Sequence, residues 1–385
     1  MAKKVVVISF EDTVKPVDLL VDFMITIDTT PSMQYVQHQA RQNAATLVRE
    51  LKATFPRCKI GFMFNGDLSD DPQHRGDAYS VVVLQPTDHV DDIVKFIRET
   101  PSTHLARGHA AYQEVLWQAT TQVRWRAGAD RVMIMIGDTA PNDVNDPLNR
   151  IRRDAYEELS RAARNKIKIH AIQCPTGTRD VRFWKALALQ TGGHYLELYQ
   201  FHEVLDIIEV ACFNEAGTDV LAAFEEFLRK SGRYSRAMDA TFATITGRKP
   251  TTRRSALTPV SPSRFQVFEI TEDDCDDDGK IAIKAFVENQ GFKYEKGRGF
   301  YELARTETIQ EYKEIVVMER GTGDMFTGED NIRRILNIPV GRAKVSLRDI
   351  ENLDKYHIFV QSTSVNRRLV EGAMFLYDID GLRTN

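Results

Sequence analysis

An apolar run ends in Asp28, and Thr30 and Ser32 follow at two-residue steps within MITIDTTPSM, residues 24–33. Three short oxygen-bearing side chains on one strand-to-helix turn make a ligand set for a hard divalent cation. Mg²⁺ takes near-octahedral oxygen ligands and keeps several of its waters, so one carboxylate and two hydroxyls, direct or through water, suit it. A second carboxylate has the same setting: residues 131–136, RVMIMI, run straight into Gly137 and Asp138. The ordinary alternative is a pair of strand-end turns in which Ser and Thr cap a helix and the aspartates accept backbone N–H groups. That alternative predicts no metal dependence.

Bringing Asp28 and Asp138 together requires neighbouring strands. Residues 19–27 are nearly continuously apolar and rich in β-branched side chains, the pattern of a strand buried on both faces. Val36, Ala40, Ala44, Leu47, Val48, Leu51 and Phe55 then recur at helical spacing until Pro56. Strands are expected over 58–65 and 79–85, separated by the polar loop GDLSDDPQHRGD, and a helix over 88–98. Residues 110–126 read as a second long helix, 166–174 as a strand, 181–190 as a helix, and TGGHYLEL as a glycine turn before a last strand. This alternation predicts an α/β fold, a doubly wound, Rossmann-like, mostly parallel sheet with helices on both faces.

The D-x-T-x-S spacing of Asp28, Thr30 and Ser32, with Asp138 and the late Thr191, Gly192, Gly193, Tyr195 pattern, resembles the von Willebrand factor type A domain and its metal-ion-dependent adhesion site. The resemblance covers residues 17–213. It implies a site at the C-terminal edge of the strands, where open α/β sheets bind ligands. It also implies a bound Mg²⁺ or Mn²⁺ whose open coordination position is completed by an acidic side chain of a partner protein. The family's middle ligand is a threonine or an aspartate before the second long helix, where this chain reads THLARGHAAYQE. Thr103 is the expected ligand, while aligning the phrase puts His109 where the aspartate belongs, and a histidine suits a softer metal. FNGDLSD, residues 64–70, is similar to a Y-R-D phrase in a subgroup that accompanies atypical protein kinases.

The 385 residues can hold two domains, with 42% hydrophobic and 28% charged residues as in soluble globular proteins. A net charge of −4 gives no electrostatic reason to expect nucleic acid. The N-terminal segment 1–16 opens with an apolar run too short for a membrane span, and residues 3–10 read as a strand. Cys58, Cys174, Cys212 and Cys275 lie far apart, which argues for free thiols in a reducing compartment and a cytoplasmic protein.

After residue 213 a helical extension, 214–246, carries Val220, Leu221, Phe224, Phe227 and Leu228, read as one helix. Residues 247–263, with three prolines and four basic residues, read as a linker, and 264–385 as a smaller strand-rich α+β domain with no family resemblance. In it, 265–270 and 280–288 are expected to form a hairpin around EDDCDDDG, and 291–303 another with its turn at 296–299. Short strands are expected at 315–318, 356–362 and 373–377, and a helix at 330–336.

Asp274, Asp276, Asp278 and Gly279, with Ile281, open like a calcium loop, but Ala285 stands where the bidentate glutamate belongs, so a solvated acidic turn is expected. Gly297, Arg298 and Gly299, like the glycines of 321–328, read as turn residues, because no G-K-[ST] follows. His170 reads as a satisfied core residue, Arg367 and Arg368 as a solvated turn, and Thr258-Pro259 and Ser261-Pro262 as sites where a proline-directed kinase could act. The expected function is a non-enzymatic, metal-dependent protein-binding scaffold without nucleic-acid or membrane partners, able to form a homo-oligomer. The alternatives are an enzyme whose activity lies in the C-terminal half, recruited by the first domain, and a structural subunit of an oligomeric assembly.

Overall fold

Every residue of strand β1, Val21–Asp28, is buried, which only a strand at the centre of a sheet covered on both faces can achieve. The computed structural model describes residues 9–69, 80–103, 108–174, 180–198, 200, 203–250, 259–261, 264–270, 274–275, 281–290, 292–309, 315–320, 322–338, 344–350, 353–361 and 374–380. After β1 come helix α1 (Gln34–Thr54), β2 (Lys59–Asn65), β3 (Val81–Thr87), α2 (Val90–Glu99), α3 (Tyr112–Thr121), β4 (Asp130–Gly137), α4 (Ala155–Arg164), β5 (Ile167–Gln173), α5 (Val181–Thr191), β6 (Tyr195–Glu197) and α6 (Val204–Phe213). The strands lie in the order β3-β2-β1-β4-β5-β6, all parallel except β3. Phe23, Ile25 and Ile27 of β1 and Val132, Ile134 and Ile136 of β4 join one core with α1, α2 and α6, while Met24, Met133 and Met135 face the other with α3, α4 and α5. This is the doubly wound sheet that the sequence predicts.

The expected helix over 110–126 ends earlier, at Thr121, because Arg126 turns away to cap the buried Asp22. Its backbone N–H and its guanidinium Nε both donate to that carboxylate at 2.7 Å. Helices α4 and α6 were not expected. Asp154 caps the first by accepting from the N–H groups of Tyr156 and Glu157. Of the strand expected over 3–10, residues 3–8 lie outside the described residues, and Phe10 opens a helical turn, Phe10–Thr13, whose ring packs on Phe213, Phe224 and Phe227. The single helix expected in 214–246 is two, α7 (Thr218–Ser231) and α8 (Arg236–Thr246), broken by Gly232 at φ +78°.

The second half is a six-stranded antiparallel sheet, strand-rich as expected, but two local expectations fail. The strands are β7 (Phe265–Glu269), β8 (Gly299–Glu302), β9 (Ile315–Glu319), β10 (Met325–Thr327), β11 (Tyr356–Gln361) and β12 (Met374–Asp378), in the order β10-β9-β11-β8-β12-β7. β7 pairs with β12, not with 280–288, which instead holds helix α9 (Ile283–Asn289). Ile283, Phe286 and Val287 are the buried positions there, an i, i+3, i+4 face that outweighs the short alternation before it. The expected hairpin at 291–303 also fails: β8 pairs with β11 and β12, and the upstream arm is held instead by Tyr377, whose hydroxyl donates to the Lys293 carbonyl and accepts from the Glu295 N–H. Helix α10 (Glu329–Ile335) lies where expected. Asp276, Asp278, Gly279, Gly321, Thr258, Pro262, Arg367 and Arg368 lie outside the described residues. Among the described residues no helix is long and apolar enough to cross a membrane.

Helix α6 is buried along its whole length, yet Asp206 and Glu209, with Glu203 just before it, put three carboxylates at three-residue spacing. Arg233 pairs with Asp206 and lies 3.9 Å from Glu209, while the Ser235 hydroxyl donates to Glu203. Burial pushes the Glu203 carboxyl up to about 8 and Asp206 to about 6, and burial together with Glu50 pushes Glu209 up. For Glu203 the folded value lies above the unfolded one, so the folded chain holds the extra proton and stability falls as pH rises from about 4.5 to 8. Glu203→Gln is therefore expected to raise stability at pH 7.5 by roughly 2 kcal/mol and to lose most of that gain by pH 5. Urea unfolding of both proteins in chelator at the two pH values checks this, and a gain that does not change with pH would refute it.

Candidate metal site

Asp28 is the last residue of β1 and Asp138 the first after β4, and the two strands are adjacent and parallel with Ile27 in register with Ile136. Parallel pairing therefore delivers both carboxylates to one place at the C-terminal edge of the sheet, where both are fully buried. Burial, then the charge of Asp138, pushes the Asp28 carboxyl up to about 7. The same two carboxylates, after burial, raise the neighbouring Cys174 thiol.

The turn after β1 is held tightly. Asp28 Oδ1 accepts the Thr30 N–H at 2.8 Å, Thr29 N–H donates to the Asn65 carbonyl at 2.7 Å, and Pro31 opens a 3₁₀ turn at Pro31–Met33 that leads into α1. The hydroxyl oxygens of Thr30 and Ser32 lie 3.4 Å apart. Neighbouring oxygens around an octahedral ion with metal–oxygen bonds of about 2.1 Å are separated by about 3 Å, so these two are close to an edge of such a shell. Thr30 is buried and Ser32 exposed, which opens the cluster to solvent on one side.

Thr103 reaches the same turn by another route. Its hydroxyl donates to the Thr29 carbonyl at 2.8 Å and lies 3.2 Å from the Thr29 hydroxyl. His109 belongs to a two-residue parallel bridge, His109–Ala110 with Ala140–Pro141, and is in register with Ala140, two residues beyond Asp138. Thr103 is thus tied to the turn after Asp28, and His109 stands beside the loop after Asp138.

Sequence reasoning missed Tyr112. This first residue of α3 is fully buried, and its hydroxyl donates to Asp28 Oδ2 at 2.6 Å. Burial, then Asp28, raises the phenol well above its ordinary value, so it stays a donor. Its ring stacks on Phe183, with centroids 5.7 Å apart, and meets Trp184 edge-on at 5.2 Å. Trp184 Nε1 in turn donates to the Thr139 carbonyl at 2.9 Å, fixing the loop after Asp138. The phenol fits only because residue 137 is glycine: a Cβ there would fall 2.0 Å from the Tyr112 hydroxyl. Asn65, in register with Asp28, and Gln113 are also fully buried, and their amide groups have no hydrogen-bond partner among the described residues.

The donor set is all oxygen, which fits a hard divalent ion. Among the described residues no three His, Cys, Asp or Glu side chains converge to hold a metal, so an ion here relies on hydroxyls beside the two carboxylates. Its charge would relieve the repulsion between Asp28 and Asp138.

Other singled-out residues have structural roles. His170 is buried, its Nε2 3.0 Å from Glu215 and its Nδ1 accepting the His194 N–H at 3.2 Å. Burial pushes the Glu215 carboxyl up, but His170 and Lys168 outweigh it and hold the group at about 2. Arg298 bonds to Glu295 and to the carbonyls of Asp378 and Asp380, and Gly297 turns with φ +88°.

No protein-family model matches the chain, and no curated protein does. Among solved structures it is similar to the hypothetical protein BatB from Bacteroides thetaiotaomicron, at 16% identity over 51% of this chain and 100% of that one, with a TM-score of 0.38. It is similar to an aerotolerance-related membrane protein from Bacteroides fragilis, at 13% identity over 50% and 99% of the two chains, with a TM-score of 0.35. Proximal thread matrix protein 1 of the mussel byssus, in a form with a zinc-occupied MIDAS motif, is 15% identical over 51% of this chain and 48% of its own, with a TM-score of 0.39.

Gly137→Ala tests the packing around Asp28. Forcing a Cβ against the phenol is expected to cost about 1–3 kcal/mol. Chemical unfolding in chelator measures it, and a neutral substitution would show that the phenol is not wedged as described.

Proposed function

We propose that the chain is a metal-dependent protein-binding scaffold of the cytoplasm. Mg²⁺ or Mn²⁺ would be held by Asp28, Thr30, Ser32 and Asp138, with Thr103 completing the set, and an acidic side chain of a partner protein would take the open position. The observation that carries this reading is the buried pair Asp28 and Asp138, set side by side at the ends of neighbouring strands and beside two hydroxyls. Two adjacent buried carboxylates, one of them Asp28 with its proton affinity raised, are costly unless a proton or a cation joins them. The turn is exposed at Ser32, the side from which a partner's carboxylate would approach. The C-terminal sheet would supply a second contact or an interface between copies.

Thermal unfolding with millimolar Mg²⁺, with Mn²⁺ and with chelator tests the site. An ion at 100 times its Kd stabilises the native state by about 2.7 kcal/mol, so a metal-dependent rise is expected in wild type and none in Asp138→Ala. No rise in wild type with either ion would overturn the metal reading.

Proton and ion compete for Asp28. Because its folded carboxyl is pushed up to about 7, it holds a proton below that pH, and ion affinity is expected to climb as pH rises from about 5 to 7 and then level off. Titrating Mn²⁺ at pH 5.5, 6.5 and 8 measures this, and an affinity independent of pH would exclude Asp28 as the competing group.

A further inference from the structure

Asn65 ends β2 and is fully buried, and neither its amide nitrogen nor its amide oxygen has a hydrogen-bond partner among the described residues. A buried amide with both ends unmatched opposes folding, whereas an apolar side chain of similar size would not. Its backbone is fixed by the turn after Asp28. The Asn65 carbonyl accepts from the Thr29 N–H at 2.7 Å and from the Thr29 hydroxyl at 3.0 Å, and that hydroxyl lies 3.2 Å from the Thr103 hydroxyl.

The Asn65 side chain shares a face with the Asp28 carboxylate. β1 and β2 are parallel, with Asp28 in register with Asn65 and Thr26 with Met63. Side chains alternate along each strand, so Met24, Thr26 and Asp28 share one face of β1, and Met63 and Asn65 share one face of β2. Met24 and Met63 both belong to the core with α3, and Tyr112 of α3 reaches Asp28 on that face. Parallel neighbours lie about 4.8 Å apart, so the amide stands beside the carboxylate, within the span of one bridging water.

We propose that Asn65 is a further positioning residue of the metal site, its amide holding a water of the ion's shell beside Asp28. The proposal rests on the metal reading above. Mg²⁺ keeps several of its waters, and each bound water turns its hydrogens outward and needs acceptors. Solvent supplies them on the open side of the turn. On the buried side, between β1 and β2, the Asn65 amide oxygen is an acceptor with no other partner, and its NH₂ group can donate to a lone pair that Asp28 leaves open. Thr26 Oγ1 is also buried and without a partner, but it sits two residues, about 7 Å, further from the strand end. Removing an outer-shell group of this kind typically costs about 10–100-fold in metal affinity.

Asn65→Leu and Thr26→Val each remove an unpartnered polar group and keep the size of the side chain. Both are measured by urea unfolding in chelator and by Mn²⁺ titration at pH 8, with the free ion followed by its electron paramagnetic resonance signal. In chelator each variant is expected to be at least as stable as wild type, because an unmatched buried group is gone. Asn65→Leu is expected to weaken Mn²⁺ binding about tenfold or more, and Thr26→Val to leave it within about twofold of wild type. A merely structural Asn65 would give lower stability in chelator or an unchanged affinity. Either result in folded Asn65→Leu overturns the proposal, as does an equal loss of affinity in Thr26→Val. Asn65→Asp keeps the shape and adds a charge, and it serves if the leucine variant does not fold. It is expected to tighten Mn²⁺ binding roughly fivefold or more at pH 8, since the added carboxylate would lie close to the ion. An unchanged or weaker affinity there overturns the proposal while leaving the metal reading intact. Failure of wild type to bind Mn²⁺ at all overturns both.

Discussion

Two carboxylates that repel each other are held side by side because the sheet beneath them leaves no choice. Parallel pairing of β1 with β4 fixes Ile27 against Ile136, and the next residues of each strand must leave the sheet at the same edge. Asp28 and Asp138 therefore meet through backbone register, and no side-chain attraction is needed to bring them together. The cost is met by apolar burial on both faces, since Phe23, Ile25, Ile27, Val132, Ile134 and Ile136 on one side and Met24, Met133 and Met135 on the other cannot move without exposing the core. Rigidity of this kind lets a cluster of like charges persist where a loop would relax them apart.

What was legible in the sequence is what depends on local pattern. The apolar runs of β1, β4 and β5, the helical repeat of α1 and the two strand-end carboxylates could all be read, because each signal lies within one continuous stretch of the chain. Tyr112 and Gly137 could not be paired in advance: they are 25 positions apart, one in an alanine-rich helix start and the other an ordinary strand-end glycine. Only the fold shows that the absence of a side chain at 137 is what lets the phenol reach Asp28. The second half was harder for a related reason. Around Ile281 the chain alternates for a few residues, then places Ile283, Phe286 and Val287 on a helical face, and a short apolar run does not decide between the two periods. In 291–303 the turn glycine is real, at φ +88° for Gly297, but one arm is held by Tyr377 through its hydroxyl and forms no ladder.

The helices after the sheet show how the site's scaffold continues into the rest of the chain. α6 lies against α1, the helix that leads away from the turn after Asp28, and its apolar side chains fill the same core as Val36, Leu47 and Leu51. Its acidic side is closed by Arg233 and Ser235, which come from the α7–α8 junction. From α8, Arg236 then reaches across to the second sheet, with its N–H on the Thr322 carbonyl at 2.8 Å and its guanidinium 3.0 Å from Asp324. Phe268, Tyr301 and Phe375 of that sheet join the core that holds α1 and α6.

A continuous packed path therefore runs from Thr30 and Ser32, through α1 and α6, to the antiparallel sheet. Such a path transmits position only if its members have two arrangements to choose between. Glu203, Asp206 and Glu209, with Glu50 of α1 facing Glu209, put ionisable groups whose charge state opposes burial into the contact of α6 with α1. An apolar helix in its place would be more stable and indifferent to pH. The chain instead keeps three carboxylates there, answered by one arginine and one serine, and so makes the seating of α6 depend on the α7–α8 junction that supplies them.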